Sequence, residues 1–169
     1  MAQICQFCLV SGILCSKCQE KLDSGEVTQL DLKIARLLLS MENEFPVLQN
    51  ITLYGVVNAD ETLAIVVGKG DIARMLSYGG KIIKEIGEKT GKTIRVLEHS
   101  VSPRKFIEDL FAPLNVVAIN KIWLPDGTTE TRVILNGKSK KSLSKQKVKA
   151  LKEIAKKVQG LTLRVEYSS

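Results

Sequence analysis

From Thr28 the apolar positions Leu30, Ile34, Leu37, Leu38 and Met41 recur at i, i+4, i+7, i+8 and i+11, the spacing of one helix face, and Pro46 is expected to end that helix. Two strand-like runs follow, ITLYGVVN (51–58) and ETLAIVV (61–67), with a short Ala-Asp turn between them. Then come a helical GDIARMLS (70–77), two adjacent glycines, a second helix to about Thr90 and the strand KTIRVLE (92–98). The predicted order is α-β-β-α-α-β.

The pattern then begins again. SPRKFIEDLF reads as a helix, NVVAINKIWL and TETRVIL as strands around a Pro-Asp-Gly turn, a lysine-rich stretch as a helix, and LTLRVEY as the last strand. KEIGEKTGKTIRV (84–96) matches KEIAKKVQGLTLRV (152–165) with one inserted residue, and VGKG (67–70) lies opposite NGKS (136–139). Two copies of one αββααβ module, about 70 residues each, explain the repeat better than one larger fold. The expectation is an α+β chain divided at 1–27, 28–100 and 101–169.

Composition sharpens this picture through charge. The 169 residues are 44% hydrophobic and 25% charged, the balance of a globular chain, and no apolar run is long enough for a membrane span or a signal peptide. A cytoplasmic location is expected. Residues 1–112 hold 13 Lys+Arg against 14 Asp+Glu, whereas residues 113–169 hold 12 against 4, so the whole excess of +7 lies in the last third. Such asymmetry points to a polyanionic partner, and to nucleic acid before a membrane surface, because no lipid-anchoring segment accompanies it.

All four cysteines fall within CQFCLVSGILCSKC, with Cys5, Cys8, Cys15 and Cys18 spaced C-x2-C-x6-C-x2-C. Two adjacent C-x2-C pairs supply four thiolates able to close a tetrahedral site, and Gly12 permits a tight reversal between them. Structural Zn2+ is the expected occupant; iron in a rubredoxin-type site and a redox dithiol are the alternatives. Four thiolates leave no open coordination position, which argues against metal-assisted catalysis.

Glycine inside a helix costs about 1 kcal/mol relative to alanine, so Gly79 and Gly80 imply a turn or a close approach to the backbone. A helix, a tight glycine loop and a second helix opening with Lys81 make a phosphate-sized site, because free N–H groups and the positive helix end converge there. VVGKGDIARMLSYGGKIIKEIGEKTGKTIRVLE resembles the core of a type II KH domain, with Gly70-Asp71 in the G-D place and Ser77, Tyr78, Gly79 and Gly80 in the four loop places. The tandem arrangement, with INKIWLPDGTTETRVIL in the second module, is similar to the archaeal NusA-like proteins over residues 28–169; the cysteine knuckle is an addition to that pattern. Ser77 and Tyr78 depart from the usual glycine and basic residue, and a tyrosine there offers a base a stacking surface.

In the second module Lys147 and Val148 stand opposite Gly79 and Gly80, so that copy reads as a degenerate KH fold without its loop. Nine lysines and one glutamate occupy 138–157 instead. Val148, Leu151, Ala155 and Val158 form the expected buried stripe, while Lys145, Lys149, Lys152 and Lys156 form a second row.

The residues and the resemblance together imply an RNA-binding protein and not an enzyme. Ser77, Tyr78, Gly79, Gly80, Lys81 and Lys84 would capture the backbone of single-stranded RNA, and Lys138, Lys140, Lys141, Lys145, Lys149 and Lys152 would extend the path. The resemblance implies a role in transcription elongation or termination on nascent RNA leaving RNA polymerase, with the knuckle as a docking element. The alternative is a ribosome-associated protein on ribosomal RNA. GKS (137–139) lacks the first P-loop glycine, which falls on Arg132. His99 is expected at the surface, Trp123 packed at a hairpin end, and the pairs Glu42/Glu44 and Glu108/Asp109 solvated.

Overall fold

The computed structural model describes residues 4–112, 114–137 and 143–168. Two helices open the chain, α1 (Gln6–Ser11) and α2 (Ser16–Asp23), and α3 (Gln29–Ser40) follows. Then come a 3-10 turn at Pro46–Asn50, β1 (Leu53–Ala59), β2 (Thr62–Val67), α4 (Asp71–Met75), a 3-10 turn at Tyr78–Gly80, α5 (Lys81–Thr90) and β3 (Thr93–Glu98). The remaining elements are α6 (Pro103–Phe111), β4 (Val116–Trp123), β5 (Thr129–Leu135), α7 (Lys145–Gln159) and β6 (Leu163–Tyr167). The chain divides into two compact units, Met1–Val56 with Ile65–Ser100, and Val57–Ala64 with Val101–Ser169. It is an α+β protein with two three-stranded sheets, ordered β1-β2-β3 and β4-β5-β6, as expected for tandem KH-like modules.

Helix α3 starts where a capping box puts it. The Thr28 hydroxyl accepts from the Asp31 N–H at 3.1 Å and the Asp31 carboxylate accepts from the Thr28 N–H at 2.9 Å. Its second oxygen accepts from the Val56 N–H at 2.8 Å, which ties the helix start to β1. The buried side chains are Leu32, Ile34, Ala35 and Leu38, with Leu30 and Leu37 only half-buried, so the single predicted stripe is wrong in part. The reason is a second apolar contact. Leu32 joins Ile4, Cys8, Cys18 and Val27 in a cluster that seats the cysteine knuckle, whereas a one-stripe reading assumes a single packing surface. The helix also ends at Ser40, before Pro46, which instead opens the 3-10 turn; the Ser40 hydroxyl donates to the Leu37 carbonyl at 2.6 Å.

In the second unit β4 pairs antiparallel with β5, with a register shift between Val116 and Ala118, and β5 pairs parallel with β6. Helix α6 packs on β4 and α7, and α7 packs on β6. Phe106, Phe111, Val133, Leu151 and Ile154 are fully enclosed there, each contributing roughly 1.5–3 kcal/mol through burial. Among the described residues this unit holds one helix between its second and third strands, where the first module holds two. The repeat is visible in the ends of α5 and α7. Each stops on a left-handed glycine, Gly91 or Gly160, whose N–H donates to the carbonyl four residues back at 2.8 and 2.9 Å.

Candidate functional site

Each C-x2-C pair straddles the start of a short helix. Cys5 is the N-cap of α1 with Cys8 in its first turn, and Cys15 is the N-cap of α2 with Cys18 in its first turn. Positive helix ends therefore face the sulfurs, which favours thiolates. The four Sγ atoms lie within 4.8 Å of one another, with Cys5 to Cys8 at 3.0 Å and Cys5 to Cys18 at 3.7 Å. A tetrahedron of sulfurs about 2.3 Å from zinc has edges of about 3.8 Å, so the donor set fits a metal ion. The Cys15 N–H donates to Cys8 Sγ at 3.1 Å and the Cys5 N–H to Cys18 Sγ at 3.5 Å, backbone donors that hold the ligands in place. A hydrogen bond from the Cys18 backbone helps lower the Cys15 thiol to about 7, while hydrogen bonding with the Cys5 side chain pushes Cys8 up to about 12. Cys8 and Cys18 are buried against Val27 and Leu32, whereas Cys5 and Cys15 face solvent.

The glycine pair forms the loop between α4 and α5. Tyr78, Gly79 and Gly80 take φ of 59°, 65° and 83°, three left-handed residues in succession. Nothing lies within 4 Å of where a Cβ would stand on Gly79 or Gly80, so the loop faces open space. Gly80 gives α5 no side-chain cap, and Lys81 and Lys84, both exposed, follow on one face. Tyr78 is 49% exposed, but its ring stands edge-on to buried Phe45 with centroids 5.2 Å apart. That contact anchors a residue whose backbone costs roughly 1–2 kcal/mol there.

The start of α4 is fixed by a group the sequence reading named only as part of a motif. Asp71 is 3% exposed, and its carboxylate accepts from the N–H groups of Thr52 at 2.9 Å and Gly68 at 3.1 Å and pairs with Arg74. A Cβ on Gly68 would sit 2.8 Å from that carboxylate. The Gly-Asp signature thus marks a fixed helix start, not a ligand contact.

The lysine row takes a different form. On α7 the buried face is Ala150, Leu151, Ile154 and Ala155, so the predicted stripe is corrected: Leu151 and Ala155 belong to it, and Val148 and Val158 are half-buried at its margins. Val148 faces a groove of about 340 Å³ lined also by Leu143, Lys145, Lys149, Lys152, Val165 and Tyr167. Three predicted lysines therefore rim one apolar floor. Tyr167 was missed because a terminal strand residue carries no motif. The one acid of α7, Glu153, is held by Lys157 at 2.9 Å. Lys138, Lys140 and Lys141 lie outside the described residues.

Other expectations divide. His99 is exposed and stacks on Tyr54, centroids 4.0 Å apart. Trp123 does not pack the hairpin end; it is 70% exposed, standing at the last pair of the β4–β5 ladder opposite Thr129. Glu108 and Asp109 are not merely solvated but pair with Arg104 at 3.1 Å and Lys105 at 2.9 Å.

This chain is 32% identical over 80 residues, 47% of its length, to a Methanocaldococcus jannaschii protein named "Probable transcription termination protein NusA", and covers 42% of that relative. A Methanococcus vannielii protein of the same name is 34% identical over 65 residues, 38% of this chain and 36% of the relative. Over these stretches the sequence is similar to archaeal proteins named NusA. The chain spans less than half the length of these curated relatives in the match. A solved chain titled "Crystal structure of APE1850" shares the fold, with a TM-score of 0.55 and 23% identity over 77% of this chain and 96% of that one. No protein-family model matches. Among the described residues no helix is long and apolar enough to cross a membrane.

Proposed function

We propose that this chain is a non-enzymatic RNA-binding factor of transcription elongation or termination, that it holds single-stranded RNA, and that its knuckle carries a structural Zn2+. The observation that carries the reading is the open loop at Gly79 and Gly80, left-handed and with nothing within 4 Å of either missing Cβ, set ahead of Lys81 and Lys84. A phosphate can approach that backbone where any side chain would stand in its way. The lysine-rimmed groove on α7 supplies a second contact driven by charge. The similarity to proteins named for transcription termination favours nascent RNA over ribosomal RNA as the target, and RNA polymerase over the ribosome as host. The modules would comprise 28–100 and 101–169, working in the cytoplasm.

Crosslinking of the tagged protein to RNA in cells, with sequencing of the attached RNA, tests the role. Reads spread over the 5′ portions of many transcripts are expected; a pile-up at one or two ribosomal RNA sites would replace the reading by the ribosomal one. In purified form, Gly79→Asp places a carboxylate where a phosphate would sit and is expected to weaken binding to a short single strand by about tenfold.

A further inference from the structure

We infer that Trp123, at the tip of the β4–β5 hairpin, is a base-stacking platform that continues the α7 lysine row, so that single-stranded RNA crosses the second unit from Tyr167 to Trp123. This rests on the RNA-binding reading above and gives that reading a path.

The indole is the only one in the chain and is 70% exposed. Its mounting is rigid. Trp123 pairs with Thr129 across the hairpin, the Leu124 N–H donates to the Thr128 carbonyl at 2.9 Å, and the Gly127 N–H closes the turn on Leu124 at 3.0 Å. The Asp126 carboxylate, the one acid of the turn, is occupied by the Thr128 N–H at 2.9 Å and hydroxyl at 2.6 Å. Lys121 Nζ lies over one face of the ring, 4.8 Å from its centroid, so a base would stack on the opposite face with an ammonium at hand for its phosphate.

The path from α7 is short. Lys121 pairs with Thr131 across the hairpin, the Thr131 N–H donates to the Thr162 carbonyl at 2.8 Å, and Lys156 Nζ donates to the Thr162 hydroxyl at 3.4 Å. With strands about 4.8 Å apart, Lys121 lies within about 10 Å of Thr162, where the Lys145, Lys149, Lys152, Lys156 row ends. Charge then favours nucleic acid over a protein partner: residues 113–169 carry 12 Lys+Arg against 4 Asp+Glu.

The test titrates the full zinc-loaded chain with short oligouridylate and reads anisotropy of the labelled RNA beside emission of the single indole. Quenching that tracks binding is expected, with Trp123→Ala weakening affinity about tenfold, Trp123→Phe restoring most of it, and Lys121→Gln lowering the salt dependence. RNA that binds without moving indole emission, and equally well to Trp123→Ala, overturns this inference alone and leaves the hairpin tip to a protein partner. Equal quenching by duplex RNA overturns it too, since paired bases cannot stack on the ring. No RNA binding by either readout overturns both this inference and the reading beneath it.

Discussion

Helices α5 and α7 occupy equivalent places in the repeat, with Lys84-Glu85-Ile86 aligned to Lys152-Glu153-Ile154, yet they begin in opposite ways. Helix α5 opens from three left-handed residues with no side-chain cap. Helix α7 opens from Ser144, whose hydroxyl accepts from the Lys147 N–H at 3.2 Å, and runs without a break through the places where the glycines would be. On the proposed RNA-binding reading, one scaffold offers a polyanion two kinds of grip. The first depends on backbone geometry and tolerates no side chain. The second depends on summed charge and tolerates many rearrangements, which is why a lost loop need not mean a lost ligand.

The largest expected asymmetry between the units comes from the knuckle. Cys8 and Cys18 share a core cluster with Val27 and Leu32, so metal binding and the seating of α3 are linked in the first unit. Structural zinc sites in small modules are worth roughly 10–16 kcal/mol of apparent binding free energy near neutral pH. Stripping Zn2+ with a chelator is expected to raise hydrogen exchange over residues 5–32 and leave α7 unchanged. Metal binding requires thiolates, so acid competes with it: occupancy falls as pH falls and recovers as pH rises, with the Cys15 thiol lowered to about 7 by its hydrogen bond from the Cys18 backbone. Equal loss of protection in α7 would show that the comparison of independent units is wrong.

A matched pair of core truncations sharpens it next. Ile86 and Ile154 are both fully buried and sit at the same repeat position. Ile86→Ala and Ile154→Ala are each expected to cost about 2–5 kcal/mol, read from urea unfolding followed by hydrogen exchange in each unit. A cost below about 1 kcal/mol at Ile154 would mean that α7 is only loosely docked, and would weaken its role as a fixed support for charge.

The skeleton was legible in the sequence because its signals are local. TETRVIL is β5 to the residue, Pro103 opens α6 behind an N-cap serine, and Asp60 turns the first hairpin at φ 51°. What escaped depends on a third surface or on the end of one. Leu32 lies off the predicted stripe, and it is buried because the knuckle packs on it. Val148 looked like core, yet lines an open groove because no second helix covers it among the described residues. Trp123 looked enclosed because a large apolar ring beside a turn usually is. Asp71 was visible as part of a motif, but its burial and its two backbone donors are facts of the fold.

The smallest effects separate the two grips most cleanly, because they differ in kind. Neutralising Lys145, Lys149 and Lys152 together by Gln should reduce the slope of log affinity against log salt by about 2, at roughly 0.7 per phosphate contact on a single strand. Gly80→Ala meets no neighbouring atom of the protein, and its left-handed strain of roughly 1–2 kcal/mol falls on folding stability in the free and bound chain alike; what it adds at the loop is a methyl group in the way of a phosphate, expected as a fivefold to tenfold loss of RNA affinity with the salt slope unchanged. Both are read from the same anisotropy titrations at several salt concentrations. A slope change at Gly80→Ala would mean that the loop acts by placing cations such as Lys81, and not by exposing its amides. The distinction between geometry and charge would then collapse into one electrostatic surface spread over both modules.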